Sequence, residues 1–393
     1  MTPLPNIDKL IKPHHNEKCR QEYVSILRRH VLTNKAQSMR ECYDTEVAPT
    51  FRRFHGRLPA DGREIRKVMK DTLPYKFYSS MRYNAQEMTW ESVREEVERS
   101  LPDLIKTARE AASTNPAGGT LALNPSIKLP HYVSATDVHL MPGCWQSEHT
   151  KDDVSQGAIY AHGGAVFRGC LRPSRTKGGV AASVSAYLKV KYPDFKPQHI
   201  LETGCTIGSN LTPYHDVFPE AELYGVDVAA PCLRYAHARD EARGIRTHYF
   251  QQDAEHLEFE ENTFDLVVSS FFLHEVTPEA TRQIFREILR VLKPGGRMIH
   301  MELPAAADVD AYYNFVLDWD QKHNAEPWYE LFRRMDFRKE CAEAGFSPDN
   351  YFKATIPDIG GISDDEFAAV ALGTKGQPAH GNHTSWCIFG ATK

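Results

Sequence analysis

The chain has 393 residues, 41% of them hydrophobic and 25% charged, with a formal net charge of −5. That length allows two domains, or one catalytic domain with a large extension, and the acidic balance offers no general attraction to nucleic acid or to an anionic membrane. No run of about 18 apolar residues is present, and the polar, proline-bearing start from Met1 to Lys18 does not read as a signal peptide, so a cytoplasmic protein without a membrane span is expected.

Residues 1–112 read as a helical N-terminal region. Within it Gln21–Leu32 and Ser92–Ala108 set Val, Ile and Leu three to four residues apart among Arg and Glu. The basic residues Arg28, Arg29, Arg52, Arg53 and Arg57 are interleaved with acids, which fits a solvated helix face better than a nucleic-acid surface. Residues 113–178 are rich in Gly, Pro, Ser and His, a loop-rich segment too long for an idle connection. Its Tyr132, His139, Trp145, Tyr160 and His162 favour a covering role over a flexible tether.

From residue 179 to 393 strands alternate with helices. Val180–Val190 reads as a helix, His199–Thr203, Leu223–Val228, Phe264–Ser269 and Arg297–Glu302 as strands, and Asp349–Ile356 with Ser385–Thr392 as a closing pair. Between them Thr277–Leu292 carries a capping Thr277, Pro278 at the first helical position, the stripe Ile284, Ile288 and Val291, and a Lys293-Pro294-Gly295-Gly296 stop. The fold class is therefore α/β, a doubly wound parallel sheet of Rossmann-like type with a mainly helical N-terminal extension. The cysteines, at positions 19, 42, 144, 170, 205, 232, 341 and 387, form no CxxC pair, so neither a zinc site nor a disulfide framework is expected and the chain suits a reducing compartment.

The segment Ile200-Leu201-Glu202-Thr203-Gly204-Cys205-Thr206-Ile207-Gly208 runs from a buried strand through a glycine turn toward a helix, with Asp227 and Val228 at the end of the next strand. A carboxylate at Asp227 is placed to accept both hydroxyls of a ribose. Only two glycines stand in the turn, short of the G-x-G-x-x-G a pyrophosphate wants, and Glu202 would repel a pyrophosphate while suiting a cationic amino group. Asp253-Ala254 follows a later strand, where an adenine amino group can be bonded.

Together Glu202-x-Gly204-Cys205-x-x-Gly208, Asp227, Asp253-Ala254-Glu255-x-Leu257, Phe264-Asp265-Leu266-Val267 and Leu292-Lys293-Pro294-Gly295-Gly296 resemble class I S-adenosylmethionine-dependent methyltransferases. The similarity is to the small-molecule branch that includes the ubiquinone/menaquinone biosynthesis methyltransferases, and it covers about residues 179–302. It implies a seven-stranded sheet with the last strand antiparallel, S-adenosyl-L-methionine as cofactor and S-adenosyl-L-homocysteine as product. It implies that Glu202, Gly204 and Gly208 hold the methionine end, Asp227 the ribose, and Asp253 with Ala254 the adenine. Thr206 departs from the family, which has glycine there; it tolerates the cofactor or contacts the methionine carboxylate. Cys205 is most simply a small apolar residue in a tight turn.

In this family the segment Ser269-Ser270-Phe271-Phe272-Leu273-His274-Glu275 lies beside the transferred methyl. Ser270 is thereby a cofactor candidate, Phe271 a substrate contact, His274 a general base and Glu275 its orienting partner or a helix cap. His300 and Glu302 share one face of a strand; His300 is a candidate for substrate contact, although core packing also accounts for it, and H-x-E is a poor metal signal, so no metal is expected. In relatives the region 304–340 closes over the substrate, which nominates Tyr313 and Trp319, and the covering segment adds Tyr160 and His162. The expected partner is a small-molecule methyl acceptor carrying a hydroxyl or thiol, with no nucleic acid or membrane, and the N-terminal region would cover the site or mediate a homodimer. Competing readings are an RNA or protein methyltransferase, a non-catalytic S-adenosylmethionine-binding regulator and, last, a dehydrogenase.

Overall fold

Eight strands form one sheet: β1 Thr120–Ala122, β2 His199–Thr203, β3 Glu222–Asp227, β4 Thr247–Gln251, β5 Phe264–Ser270, β6 Leu292–Glu302, β7 Tyr351–Pro357 and β8 Ser385–Thr392. The computed structural model describes residues 4–169, 178–378 and 385–393; Cys170 and the end of the covering segment lie outside them. Strand order is β1-β4-β3-β2-β5-β6-β8-β7. Neighbours from β1 to β6 run parallel, and β8 lies antiparallel to both β6 and β7.

The central strands are apolar on both faces, as parallel strands covered by helices must be. Ile200, Leu223, Leu266 and Val268 face one core, while Leu201, Val226, Phe264 and Val267 face the other. The order reverses between β2 and β5, and a doubly wound sheet opens its crevice at the carboxyl ends of such a strand pair. Thr203 ends β2 and Ser270 ends β5, so both motif segments reach the same edge.

The main helices are α1 His15–His30, α2 Leu73–Thr114, α3 Ser155–Gly169, α4 Val180–Lys191, α5 Ala230–Arg243 and α6 Pro278–Val291. In α6 the Thr277 side chain accepts from the Ala280 N–H at 3.0 Å, and Ile284, Ile288 and Val291 are buried, so both the cap and the stripe form as their residue types predict.

Two features depart from the sequence reading. The sheet has an eighth strand, because Thr120–Ala122 of the covering segment adds to the edge of β4 in register with His248–Phe250. The covering segment also holds a 15-residue helix, α3, where loop was expected. Its glycines hide the helical periodicity, and two of them have a packing reason. A Cβ on Gly163 would lie 2.6 Å from the Trp90 ring, and one on Gly157 would lie 2.5 Å from Tyr235. The helix thus needs bare backbone where it meets α2 and α5.

The region after β6 folds as short helices, among them α7 Ala311–Leu317, α8 Trp319–His323 and α9 Tyr329–Arg333. Its aromatics Tyr312, Phe315 and Trp319 share a core with Val31, Met39 and Tyr78 of the N-terminal region. The Trp319 indole donates to Ser79 Oγ at 3.1 Å, Arg82 stacks on the Trp319 ring at 4.0 Å, and Arg82 also pairs with Asp320 at 2.7 Å. The N-terminal helices are therefore joined to the sheet half by a packed interface. No described helix is long and apolar enough to cross a membrane.

Within the N-terminal region Arg99 of α2 grips Glu17 of α1 through two bonds of 2.7 Å, with Glu17 itself buried. Those hydrogen bonds from Arg99, aided by the His14 N–H, hold the Glu17 carboxyl down at about 2 despite burial. A carboxyl lowered on folding stabilises fully above its unfolded value near 4.3, and this stabilisation is lost as pH falls toward the folded value. Glu17→Gln is expected to flatten the fall in melting temperature between about pH 4.5 and 2. Arg99→Ala is expected to lower the melting temperature near neutral pH, where Glu17 is ionised, and to lose that effect at about pH 2. Melting curves across that pH range, followed by circular dichroism, check both.

Candidate active site

The turn after β2 is built from a reversal that ordinary residues resist. Gly204 and Gly208 have φ of +66° and +67°, and a Cβ on them would meet the Phe272 ring at 2.3 Å and the Tyr249 hydroxyl at 2.0 Å. Both glycines therefore admit rings of the protein as well as a left-handed backbone. Thr206, between them, also has a positive φ of 50°, which costs a side-chain-bearing residue about 1–2 kcal/mol. Asp227 holds the turn: one carboxylate oxygen accepts from the Thr206 N–H at 2.8 Å and the other from the Ala229 N–H at 2.9 Å. Each oxygen keeps acceptor capacity. Val228 stands next to it, and its carbonyl accepts from the Gln251 amide.

Glu202, at the end of β2, is 2% exposed, and its Oε2 has no hydrogen-bond partner among the described residues. Burial and the neighbouring Asp227 push its carboxyl well up. A buried carboxylate of this kind is costly unless a cation or donor meets it. Asp253 and Ala254 follow β4, with Asp253 Oδ1 accepting from the Glu255 N–H at 2.9 Å. Tyr132 of the covering segment closes over this end, its hydroxyl donating to Glu255 at 2.7 Å.

On the far side of the crevice five ionisable residues meet. His274 Nδ1 bonds Glu302 Oε2 at 2.6 Å, and its Nε2 lies 3.4 Å from Glu275 and 3.9 Å from Glu326. His139 of the covering segment places one nitrogen 2.9 Å from Glu275 and the other 3.1 Å from Glu326. Burial works against a charge on either ring, but the carboxylates outweigh it. Glu326 and Glu275 hold His139 up at about 10, and Glu302 and Glu275 hold His274 well above its usual value. Burial likewise works against the Glu275 carboxylate, and the two imidazoles overcome it and keep it at about 2. Burial dominates at Glu326 and raises it despite His139. His139 and Leu140 have φ of 57° and 56°, and the strained turn is fixed by Gln86 and Trp90 of α2, which both donate to the His139 carbonyl at 3.0 and 2.8 Å.

Tyr160 of α3 connects the two halves of the crevice. Its ring stacks edge-on against Trp145, which in turn meets His139. Burial pushes the Tyr160 hydroxyl up to about 12; Arg168 opposes the shift, while Glu202 and Glu275 both add to it. One phenol therefore feels the carboxylate of each half.

Residues 200–296 match the methyltransferase domain family. The chain is 37% identical over 100 residues to a ubiquinone/menaquinone biosynthesis C-methyltransferase of Idiomarina loihiensis, covering 24% of this chain and 39% of that protein. It is 32% identical over 108 residues to a demethylmenaquinone methyltransferase of Thermus thermophilus, covering 28% and 48%. Over about a quarter of its length the chain is thus similar to methyltransferases. It spans less than half the length of those two relatives. Among solved structures, phosphoethanolamine N-methyltransferase 2 of Haemonchus contortus with S-adenosyl-L-methionine aligns at 18% identity and a TM-score of 0.39, over 67% of this chain and 60% of that one.

The expected site residues separate by their place in the fold. Glu202, Gly204, Cys205, Thr206, Gly208, Asp227, Val228, Asp253, Ala254 and Ser270 lie in the loops or at the strand ends of the carboxyl edge. Phe271, at φ 55° and 38% exposed, sits at the mouth with its ring against His274 and Trp386. Tyr313 of α7 is half-buried, and burial with nearby Cys387 raises its hydroxyl to about 12. The structure does not bring three others there. His300 is fully buried between Phe285 and Phe389 and bonds Ser269 Oγ at 2.8 Å, and burial drives it down to about 3, so it is a neutral core residue. Trp319 belongs to the core shared with the N-terminal helices. His162 turns toward Glu96 of α2, 3.6 Å away. His274 is at the site, but Glu302 occupies one ring nitrogen and Glu275 faces the other, so it is not a free base as expected.

Sequence reasoning missed the role of His139 and did not reach Glu326, and it placed Glu302 without its partner. No local pattern marks them, since they converge from the cover, the region after β6 and the end of β6.

The turn geometry generates a paired expectation. Gly208→Ala must displace the Tyr249 hydroxyl and strain the backbone, costing about 3 kcal/mol. Thr206→Gly removes a strained side chain and is expected to leave stability unchanged or raise it by about 0.5 kcal/mol. Urea denaturation of the two variants separates these outcomes.

Proposed function

We propose that the protein transfers a methyl group from S-adenosylmethionine to a small-molecule hydroxyl or thiol docked between Phe271 and the His274–Glu275 pair. The observation that carries the cofactor half is Glu202: a carboxylate 2% exposed, with a partnerless oxygen, at the sheet's switch point beside Asp227. Its fit to a cationic amino group is direct, and Asp227 has acceptor capacity for two vicinal hydroxyls. When bound, the cofactor supplies a sulfonium methyl open to in-line displacement.

What the chain itself contributes is alignment and a sink for a proton. Phe271 supplies an exposed ring at the mouth, held in a strained turn by the bond from its N–H to the Met301 carbonyl at 2.9 Å. A backbone strained beside a cleft is a recurrent mark of a working position. Tyr160, packed edge-on against Trp145 and influenced by both Glu202 and Glu275, would orient an acceptor toward the methyl. Glu326, whose carboxyl burial raises and which lies 3.9 Å from His274 Nε2, gives the acceptor's proton somewhere to go. The likeness to two quinone-biosynthesis methyltransferases supports a small acceptor, and the unpaired state of the described cysteines suits a reducing compartment such as the cytoplasm.

Calorimetry with S-adenosylmethionine tests the reading. Wild type is expected to bind in the micromolar range, Asp227→Ala to lose at least about tenfold, or 1.4 kcal/mol, and Glu202→Gln to lose a similar amount. A panel of phenols and thiols, followed by S-adenosylhomocysteine release, should then show turnover with a raised KM in Phe271→Ala. A folded wild type that binds no cofactor would sink the proposal.

A further inference from the structure

The residues around His274 do more than neutralise one another. One ligand atom from each of His139, Glu275 and Glu326 lies within 4.8 Å of the others. His274 Nε2 faces the same space, 3.4 Å from Glu275 and 3.9 Å from Glu326. Donors bound to one metal ion at about 2.1 Å stand roughly 3.0–3.4 Å apart, so small side-chain movements would bring all four to a common centre.

Three further observations fit a metal ion better than a simple ion pair. His274 is oriented through its other nitrogen by Glu302 at 2.6 Å, the carboxylate–imidazole support that metal-ligating histidines carry. A buried oxygen at the cluster, Glu275 Oε2, has no hydrogen-bond donor among the described residues, and the Asn324 amide nitrogen bonds His139 Nδ1, which leaves Nε2 as that ring's ligand atom. The His139 turn is held in a strained backbone by α2 and by its N–H bond to the Asn324 carbonyl at 2.9 Å, so the ring is placed before any ligand arrives. Two imidazoles with two carboxylates suit manganese, iron or zinc rather than magnesium or calcium.

We infer that His139, Glu275 and Glu326, with His274 as a fourth donor, form a binding site for one divalent transition-metal ion. The inference rests on the methyl-transfer reading for its use: a cation there would bind an acceptor through an anionic oxygen or sulfur, which narrows the acceptor class to phenols, enols and thiols. The site's existence is independent of that use.

The test uses the full chain, stripped with a chelator and dialysed. Titration with MnCl2, with ZnCl2 and, under anaerobic conditions, with FeCl2, read by calorimetry and by metal content after gel filtration, is expected to give one ion per chain and a raised melting temperature with at least one of them. Glu326→Gln and His139→Gln should each weaken that affinity at least tenfold. Because either substitution can loosen a buried cluster, the wild type alone decides: a folded, stripped protein that takes up less than half an equivalent of Mn2+, Fe2+ or Zn2+ at 100 μM metal (on the order of a weak-site Kd), with melting unchanged by metal or chelator, overturns the site. S-adenosylmethionine binding is measured in parallel under chelator. Metal uptake without cofactor binding removes only the methyl-transfer reading, and cofactor binding without metal uptake removes only this site.

Discussion

Three carboxylates and two imidazoles cannot leave water together unless they satisfy one another, and much of this architecture follows from that constraint. Burying an unpaired charge costs several kcal/mol, whereas a fully connected set can be held in the interior. Here the set is drawn from four segments: His139 from the cover, His274 and Glu275 from the exit of β5, Glu302 from the end of β6, and Glu326 from the region beyond it. Each segment is fixed in place partly by the charge it brings to the others. The rings of Tyr329 and Phe332 close the cluster, both against His274.

The same logic explains why the N-terminal helices are inseparable from the crevice. Gln86 and Trp90 of α2 hold the His139 carbonyl, and Trp319 with Arg82 ties the region after β6 to that same helix. The cover and the post-β6 helices thus share one support. The sheet supplies the edge that carries Glu202 and Asp227, and α2 supports the two segments that bring His139 and Glu326 to the cluster.

How much of this could be read from sequence divides along contiguity. The strands β2, β3, β5, β6, β7 and β8 and the helix α6 were legible because each is a local pattern of burial with its own start and stop signals. The turn Glu202–Gly208 with Asp227 was legible because its chemistry is local to two adjacent strands. Strand β1 was not, since three residues among glycines carry no period, and helix α3 was not, because Gly157 and Gly163 serve neighbours rather than the helix's own pattern. The cluster partners were hidden for a different reason: nothing within the sequence near Asn324–Glu326 signals a histidine far upstream. His300 misled for the opposite reason, since strand alternation put it on the face of Glu302, but two phenylalanines claim it.

Strand β1 and the His139 turn share a property with a consequence for synthesis. Thr120 pairs with His248, and His139 with Glu275 and Glu326, so every lasting partner of the cover in the sheet half is translated after it. At roughly 5–20 residues per second the cover waits on the order of ten to forty seconds before Glu326 leaves the ribosome. During that interval α2 can form, but the histidine it is built to hold has no carboxylate to meet. Helix α3 can already pack against Trp90 of α2, and the moment the His139 turn is completed is set by the last of its partners to be made.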